Sequence, residues 1–172
     1  AWYDRQVDQL SMPCESRWVD TSAGRTHLLI AGPPDARPMV VLHGMNMNAA
    51  AMTPAIRQFA SSRRVYAIDV IGMPGKSAGT RPRRTGSGYP RWLAEVMQAL
   101  EILEADLVGQ SFGGWIILKL AERAPERIRT AVLLDSGGLV PFTWTGQMQA
   151  GLAAVRHMAW SNDLTLAGAV SP

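Results

Sequence analysis

A chain of 172 residues, 47% hydrophobic and 18% charged, can bury a sizeable core and keep a polar surface in water. Its formal net charge of +3 owes much to Arg81, Arg83, Arg84 and Arg91. Pro82, Gly86, Gly88 and Pro90 interrupt that group, which fits a solvated loop and argues against a nucleic-acid partner. No run is long and apolar enough for a membrane span. The single cysteine, Cys14, leaves no internal disulfide to form, so a reducing, cytoplasmic setting is the expectation.

Residues 1–16 are polar and weakly patterned, and an N-terminal arm is expected there. Arg17–Thr21 and Thr26–Ala31, separated by Ser22-Ala23-Gly24, predict a β-hairpin. Met39-Val40-Val41-Leu42 predicts a short buried strand that stops at His43-Gly44-Met45. Ala49–Ser61 is alanine-rich and predicts a helix, with Pro54 near its first turn. Val65–Asp69 predicts a second buried strand, followed by a long Gly/Pro/Arg loop to about Tyr89. Arg91–Leu103 predicts a helix with Leu93, Val96, Met97, Leu100 and Leu103 on one face. Ala105–Val108 is a further strand-like run, and the residues from Gly114 to Ala121 have helical spacing with Trp115, Leu118 and Ala121 on one side. Pro125-Glu126-Arg127 closes that helix, and Ala131–Asp135 predicts another buried strand. From Thr143 to Trp160 the pattern is again helical, and it fades over Asp163–Pro172.

Strands alternating with helices predict an α/β fold, a mainly parallel sheet flanked by helices. Reactive groups then belong at the C-terminal ends of the strands, where His43-Gly44-Met45, Asp69, Ser111 and Asp135 all fall. Between the last two helix-linked runs the chain must reverse within about two residues, at Gly109-Gln110-Ser111-Phe112-Gly113. This G-x-S-x-G, between a strand and a helix, is the setting in which the motif presents a nucleophile. Gly109 and Gly113 carry no side chain where helix and strand approach. Ser111 is expected in a strained backbone conformation costing about 1–3 kcal/mol. The stretch Gly72-Met73-Pro74-Gly75-Lys76-Ser77 looks like a phosphate-binding loop only in part. A Walker A motif needs glycine where Val70 stands.

With these motifs in order over about residues 17–140, the chain resembles the α/β-hydrolase family. The resemblance rests on a hairpin, a strand ending in His43-Gly44, a strand running into Asp69-Val70-Ile71-Gly72-Met73-Pro74-Gly75-Lys76-Ser77, and the elbow at Ser111. It implies residues 1–140 as the N-terminal part of the hydrolase core, truncated after about the sixth strand. It also implies residues 141–172 as the start of a helical cap or lid carrying Phe142, Trp144, Met148, Leu152, Met158 and Trp160. It implies Ser111 as nucleophile and the backbone N–H groups of Met45 and Phe112 as the oxyanion hole, with no cofactor and no metal. His43 is expected to orient its loop and Asp69 to accept loop N–H bonds.

Ser at the elbow fits esterases, lipases, C–C bond hydrolases and cofactor-free perhydrolases rather than relatives that place Asp there. The expected activity is hydrolysis of small carboxylic esters with an apolar acyl part. The alternatives are a C–C hydrolase using the same parts and a non-catalytic, ligand-binding homologue. The family's order of Ser, acid, then His is not completed in this sequence. Asp135 is a candidate acid, and His157, in the late helical stretch, is a weak candidate for the base. The expectation is that the C-terminal remainder of the same hydrolase, in a longer or separate chain, covers Ala131–Leu134 and brings the histidine.

Overall fold

The computed structural model describes residues 1–138. Its strands are β1 (Cys14–Thr21), β2 (Gly24–Ala31), β3 (Pro38–Leu42), β4 (Arg64–Ile68), β5 (Ala105–Gln110) and β6 (Ile128–Leu134). They form one sheet in the order β1-β2-β4-β3-β5-β6. The hairpin β1–β2 and the β2–β4 pair are antiparallel, whereas β3–β4, β3–β5 and β5–β6 are parallel. The expected mainly parallel sheet is present, with an antiparallel hairpin on one side. Helices α1 (Trp2–Asp8), α2 (Thr53–Phe59), α3 (Gly88–Ala99) and α4 (Phe112–Ala121) flank it.

The period-2 alternation of the inner strands sorts the core into two layers. Leu28, Ile30, Val40, Leu42 and Ile68 share a cluster with Trp92, Leu93, Val96 and Met97 of α3 and Ile116, Ile117 and Leu120 of α4. Leu29, Ala31, Met39, Val41, Val65 and Ala67 share the other with Tyr3 of α1 and Ile56 of α2. Both faces of the central strands are therefore covered, which is why they read as unbroken apolar runs.

Five expectations need correction, the last of them in β6. The arm expected over residues 1–16 contains α1 and the start of β1, because Tyr3 is drawn into the core and β1 extends back to Cys14. The helix expected over Ala49–Ser61 is a 3-10 turn over Ala49–Met52 followed by α2, with Pro54 in its first turn. Leu103 is 81% exposed, since α3 ends at Ala99 and leaves it off the buried face. In α4 the deeply buried side chains are Phe112, Ile116, Ile117 and Leu120, while Ala121 is exposed. That helix is apolar on nearly every side, so spacing alone did not select a face.

The strand expected at Ala131–Asp135 is present as β6, but it is not buried. Val132 and Leu134 are 47% and 50% exposed. Among the described residues β6 pairs only with β5 and forms the sheet's edge. The helical stretch expected over Thr143–Trp160, with His157 and the apolar residues of the expected cap, lies outside the described residues.

Candidate active site

β5 ends at Gln110 and α4 begins at Phe112, so Ser111 is the whole turn between strand and helix. Its backbone has φ 49° and ψ −106°, a region L-residues avoid. Hydrogen bonds on both sides hold it there. Ser111 N–H donates to Leu134 O at 2.8 Å, and Ser111 O accepts from Trp115 N–H and Gly137 N–H, each at 3.1 Å. The two glycines of the motif make the bend possible. A Cβ at Gly109 would lie 2.6 Å from the backbone of Gly113 and Gly114. At Gly113 it would lie 2.5 Å from Leu42 O on β3. Gly113 thus clears β3 rather than β5. Gly114 is also close-packed, since a Cβ there would stand 2.6 Å from Ser136 Oγ, though that contact is with a side chain and not with backbone. The sequence reading passed over that third glycine because it lies outside the motif.

Ser111 is exposed, and two loop elements face it. Phe112 is the first residue of α4, so its N–H has no acceptor within its own helix, and the helix dipole adds positive potential at that end. Its ring is fixed by Tyr89, edge-on at 5.0 Å, and by Trp115, stacked at 5.4 Å. The second element is the turn after β3. A Cβ at Gly44 would sit 3.6 Å from Ser111 Cβ, which puts this turn directly against the elbow.

His43 orients that turn. It is fully buried, and its Nε2 accepts from Val70 N–H at 2.9 Å. With Nε2 an acceptor, the ring proton is on Nδ1, which donates to Gly44 O at 2.8 Å. Burial depresses the His43 pKa below the usual histidine value, against the opposing effects of Gly44 O and Asp69. The ring is therefore a neutral bracket. Gly44 O also accepts from Met47 N–H at 3.3 Å. In a trans peptide the N–H points opposite to the C=O, so fixing Gly44 O toward the imidazole turns Met45 N–H away from it. The side chain of Met45 is 42% exposed and takes no part in this. Arg84 lies in an exposed loop, as expected, with its guanidinium 5.5 Å from the Phe112 ring and 3.9 Å from Met45 Sδ.

Asp135 directly follows β6 at the same end of the sheet as Ser111, with φ 46° and an exposed side chain. Among the described residues no histidine reaches it or Ser111. His43 is engaged as above, and His27 is buried and bonded elsewhere. Asp69 accepts loop bonds as expected, from Ala49 N–H at 2.6 Å and Lys76 N–H at 3.0 Å. It also accepts from the Tyr3 hydroxyl at 3.0 Å and lies 2.8 Å from His27 Nδ1, partners no local pattern announced. A cavity of about 600 Å³ lined by Met12–Glu15, Ile30, Gly32, Ala60, Ser61 and Arg64 lies at the other end of the sheet. Neither Ser111 nor its two loops line it.

The chain has clear relatives in sequence and fold. The family model for the alpha/beta hydrolase fold matches residues 37–166. The uncharacterised carboxylesterase nap of Bacillus subtilis (strain 168) is 33% identical over 133 residues, covering 77% of this chain and 44% of that protein. The crystal structure of carboxylesterase CesB (YbfK) from Bacillus subtilis superposes with a TM-score of 0.72 at 34% identity, over 76% of this chain and 46% of that one. The 2-hydroxymuconate semialdehyde hydrolase of Pseudomonas sp. (strain CF600) is 40% identical over 110 residues, which is 59% of this chain and 37% of that enzyme. The chain thus spans less than half the length of each of these relatives. No helix among the described residues is long and apolar enough to cross a membrane.

Proposed function

Because the chain belongs to the alpha/beta hydrolase fold family, we propose that it is the N-terminal part of a serine hydrolase that cleaves small carboxylic esters with an apolar acyl group. The observation that carries this reading is the backbone of Ser111, bent to φ 49° and ψ −106° between β5 and α4 with the Gly44 turn against it. Ser111 Oγ attacks the ester carbonyl, and its proton passes to a general base. The carbonyl oxygen becomes an oxyanion held by Met45 N–H and Phe112 N–H, each such donor being worth about 2.7–4 kcal/mol. Collapse of the tetrahedral species breaks the ester C–O bond and releases the alcohol, which takes the proton. Water then cleaves the acyl-enzyme by the same route in reverse.

The base in this scheme is a histidine beyond the described residues, with Asp135 a candidate acid. The incomplete span against the esterase relatives and the exposed Val132 and Leu134 on β6 support a C-terminal remainder that supplies it. The lone Cys14 supports a reducing, cytoplasmic setting. A second reading, C–C bond hydrolysis with the same nucleophile and oxyanion donors, is favoured by the 40% identity to the semialdehyde hydrolase.

A fluorophosphonate probe followed by peptide mapping tests the assignment. The expected adduct is on Ser111 and disappears from that peptide in Ser111→Ala. A non-catalytic, ligand-binding homologue would leave Ser111 unmodified. Turnover of short p-nitrophenyl esters in preference to a vinylogous diketone supports the esterase, and the reverse preference supports the C–C hydrolase.

A further inference from the structure

A second serine, far from the elbow in sequence, stands at the head of a hydrogen-bonded chain. In the β1–β2 hairpin Ser16 opposes Leu29 and Trp18 opposes His27, so Ser16, Trp18 and His27 share one face of the sheet. Ser16 Oγ lies 2.7 Å from His27 Nε2, and His27 Nδ1 lies 2.8 Å from Asp69 Oδ2. His27 and Asp69 are buried, 0% and 1% exposed, whereas Ser16 is exposed at the outer strand.

The direction of these bonds follows from Asp69. Its burial works against the charged form, but bonds from His27, Ala49 N–H and Lys76 N–H outweigh it and hold the carboxyl below the usual aspartate value. An ionised carboxylate only accepts, so His27 donates through Nδ1–H. When the ring carries no second proton, Nε2 is then an acceptor, and the Ser16 hydroxyl donates to it. The order is hydroxyl, imidazole, carboxylate, with the hydroxyl facing solvent and the other two locked. The Trp18 ring stands edge-on to His27 at 4.9 Å and is itself 41% exposed, forming an aromatic wall on the same face.

We propose that Ser16 is an acylation site, taking an acyl group from activated aryl esters through His27 and Asp69. In the step, a bond forms between Ser16 Oγ and the acyl carbon while the bond from that carbon to the aryloxide breaks. The hydroxyl proton moves to His27 Nε2 and from there to the departing aryloxide, so the ring returns to its neutral state. Strand amides lie in the plane of the sheet while side chains stand out of it, so β1 directs no pair of N–H groups at an oxyanion above Ser16. Only esters with good leaving groups react for this reason, and the product is a persistent acyl-serine.

The test uses the full protein carrying Ser111→Ala, which removes the elbow nucleophile and makes the outcome independent of its role. With p-nitrophenyl acetate and mass-spectrometric peptide mapping, acetyl accumulates on Ser16 about 10²-fold faster than on the exposed Ser61 and Ser87, the gain a positioned general base supplies. Adding Ser16→Ala, a change at an exposed position, removes that adduct. Replacing buried His27 would disturb the core, so its role is read through Ser16→Cys. That thiol is alkylated by iodoacetamide about tenfold faster than the thiol of Ser61→Cys, which is placed at another exposed position without a histidine bonded to it. Acetylation no faster at Ser16 than at Ser61 and Ser87, or equal alkylation of the two thiols, overturns the proposal.

Discussion

Replacing Ser111 by glycine should stabilise the protein while removing the proposed nucleophile. The backbone there, φ 49° and ψ −106°, is held by hydrogen bonds to Leu134, Trp115 and Gly137 and cannot relax. A side chain in such a region costs about 1–3 kcal/mol, which glycine does not incur. Against this, glycine gives the unfolded chain more freedom, worth about 0.5–1 kcal/mol relative to alanine. With strain at about 2 kcal/mol, Ser111→Gly should exceed Ser111→Ala in stability by about 1 kcal/mol. That corresponds to about 2–4 °C in Tm for a chain of this size. Alanine is the right reference because both variants lack Oγ and differ only in whether a Cβ occupies the strained position. Thermal and urea unfolding followed by tryptophan fluorescence measure the difference. A glycine variant no more stable than the alanine variant would show that the elbow is unstrained, and the reason given for its conformation would be wrong.

Two further outcomes follow from neighbouring residues. Gly113→Ala sets a methyl 2.5 Å from Leu42 O and 2.7 Å from Leu42 Cβ, so α4 must shift from β3; a loss of about 1–3 kcal/mol in urea unfolding is expected, with a slower reaction of Ser111 with fluorophosphonate. His43 stays neutral in the fold because burial lowers its pKa, whereas the unfolded chain binds a proton near pH 6.5. The unfolded state therefore holds more protons between that value and the lower folded pKa. Stability falls as pH drops through this window, by at most about 1.4 kcal/mol per pH unit for this one group, and the slope should flatten in His43→Gln when melts are compared between pH 7 and 5.

What the sequence announced depended on how locally each feature is determined. β3, β4 and β5 are covered on both faces, and a strand in that position has to be apolar throughout, so Met39–Leu42 and Val65–Ile68 were plain. The elbow was equally plain, because its motif is contiguous, although only glycine at 109 answers a demand set within a few residues and glycine at 113 answers to Leu42 on β3. α1 was not, since the buried state of Tyr3 depends on His27 and Asp69, 24 and 66 positions away. The exposure of β6 depends on its place at the sheet edge rather than on the apolar character of Ala131–Leu134. The array of Ser16, His27 and Asp69 joins residues 11 and 42 apart through strand pairing, and no motif spacing encodes it.

On the proposed readings, the two serines divide the requirements of acyl transfer between them. Ser111 has the strained turn, a helix N-terminus and the Gly44 turn beside it, and among the described residues no histidine. Ser16 has histidine and carboxylate in line and only an extended strand beneath it. Stabilising an oxyanion and removing a proton act on different parts of the barrier, so ester reactivity separates them. An aryl ester with a good leaving group needs little help in expelling it, and a positioned base suffices for Ser16 to be acylated. An alkyl ester needs its oxyanion stabilised and its leaving group protonated, which among the described residues is the role proposed for the elbow, completed by a histidine. Cleavage of alkyl esters should therefore vanish entirely in Ser111→Ala and be indifferent to Ser16→Ala, whatever acetyl the second serine accepts.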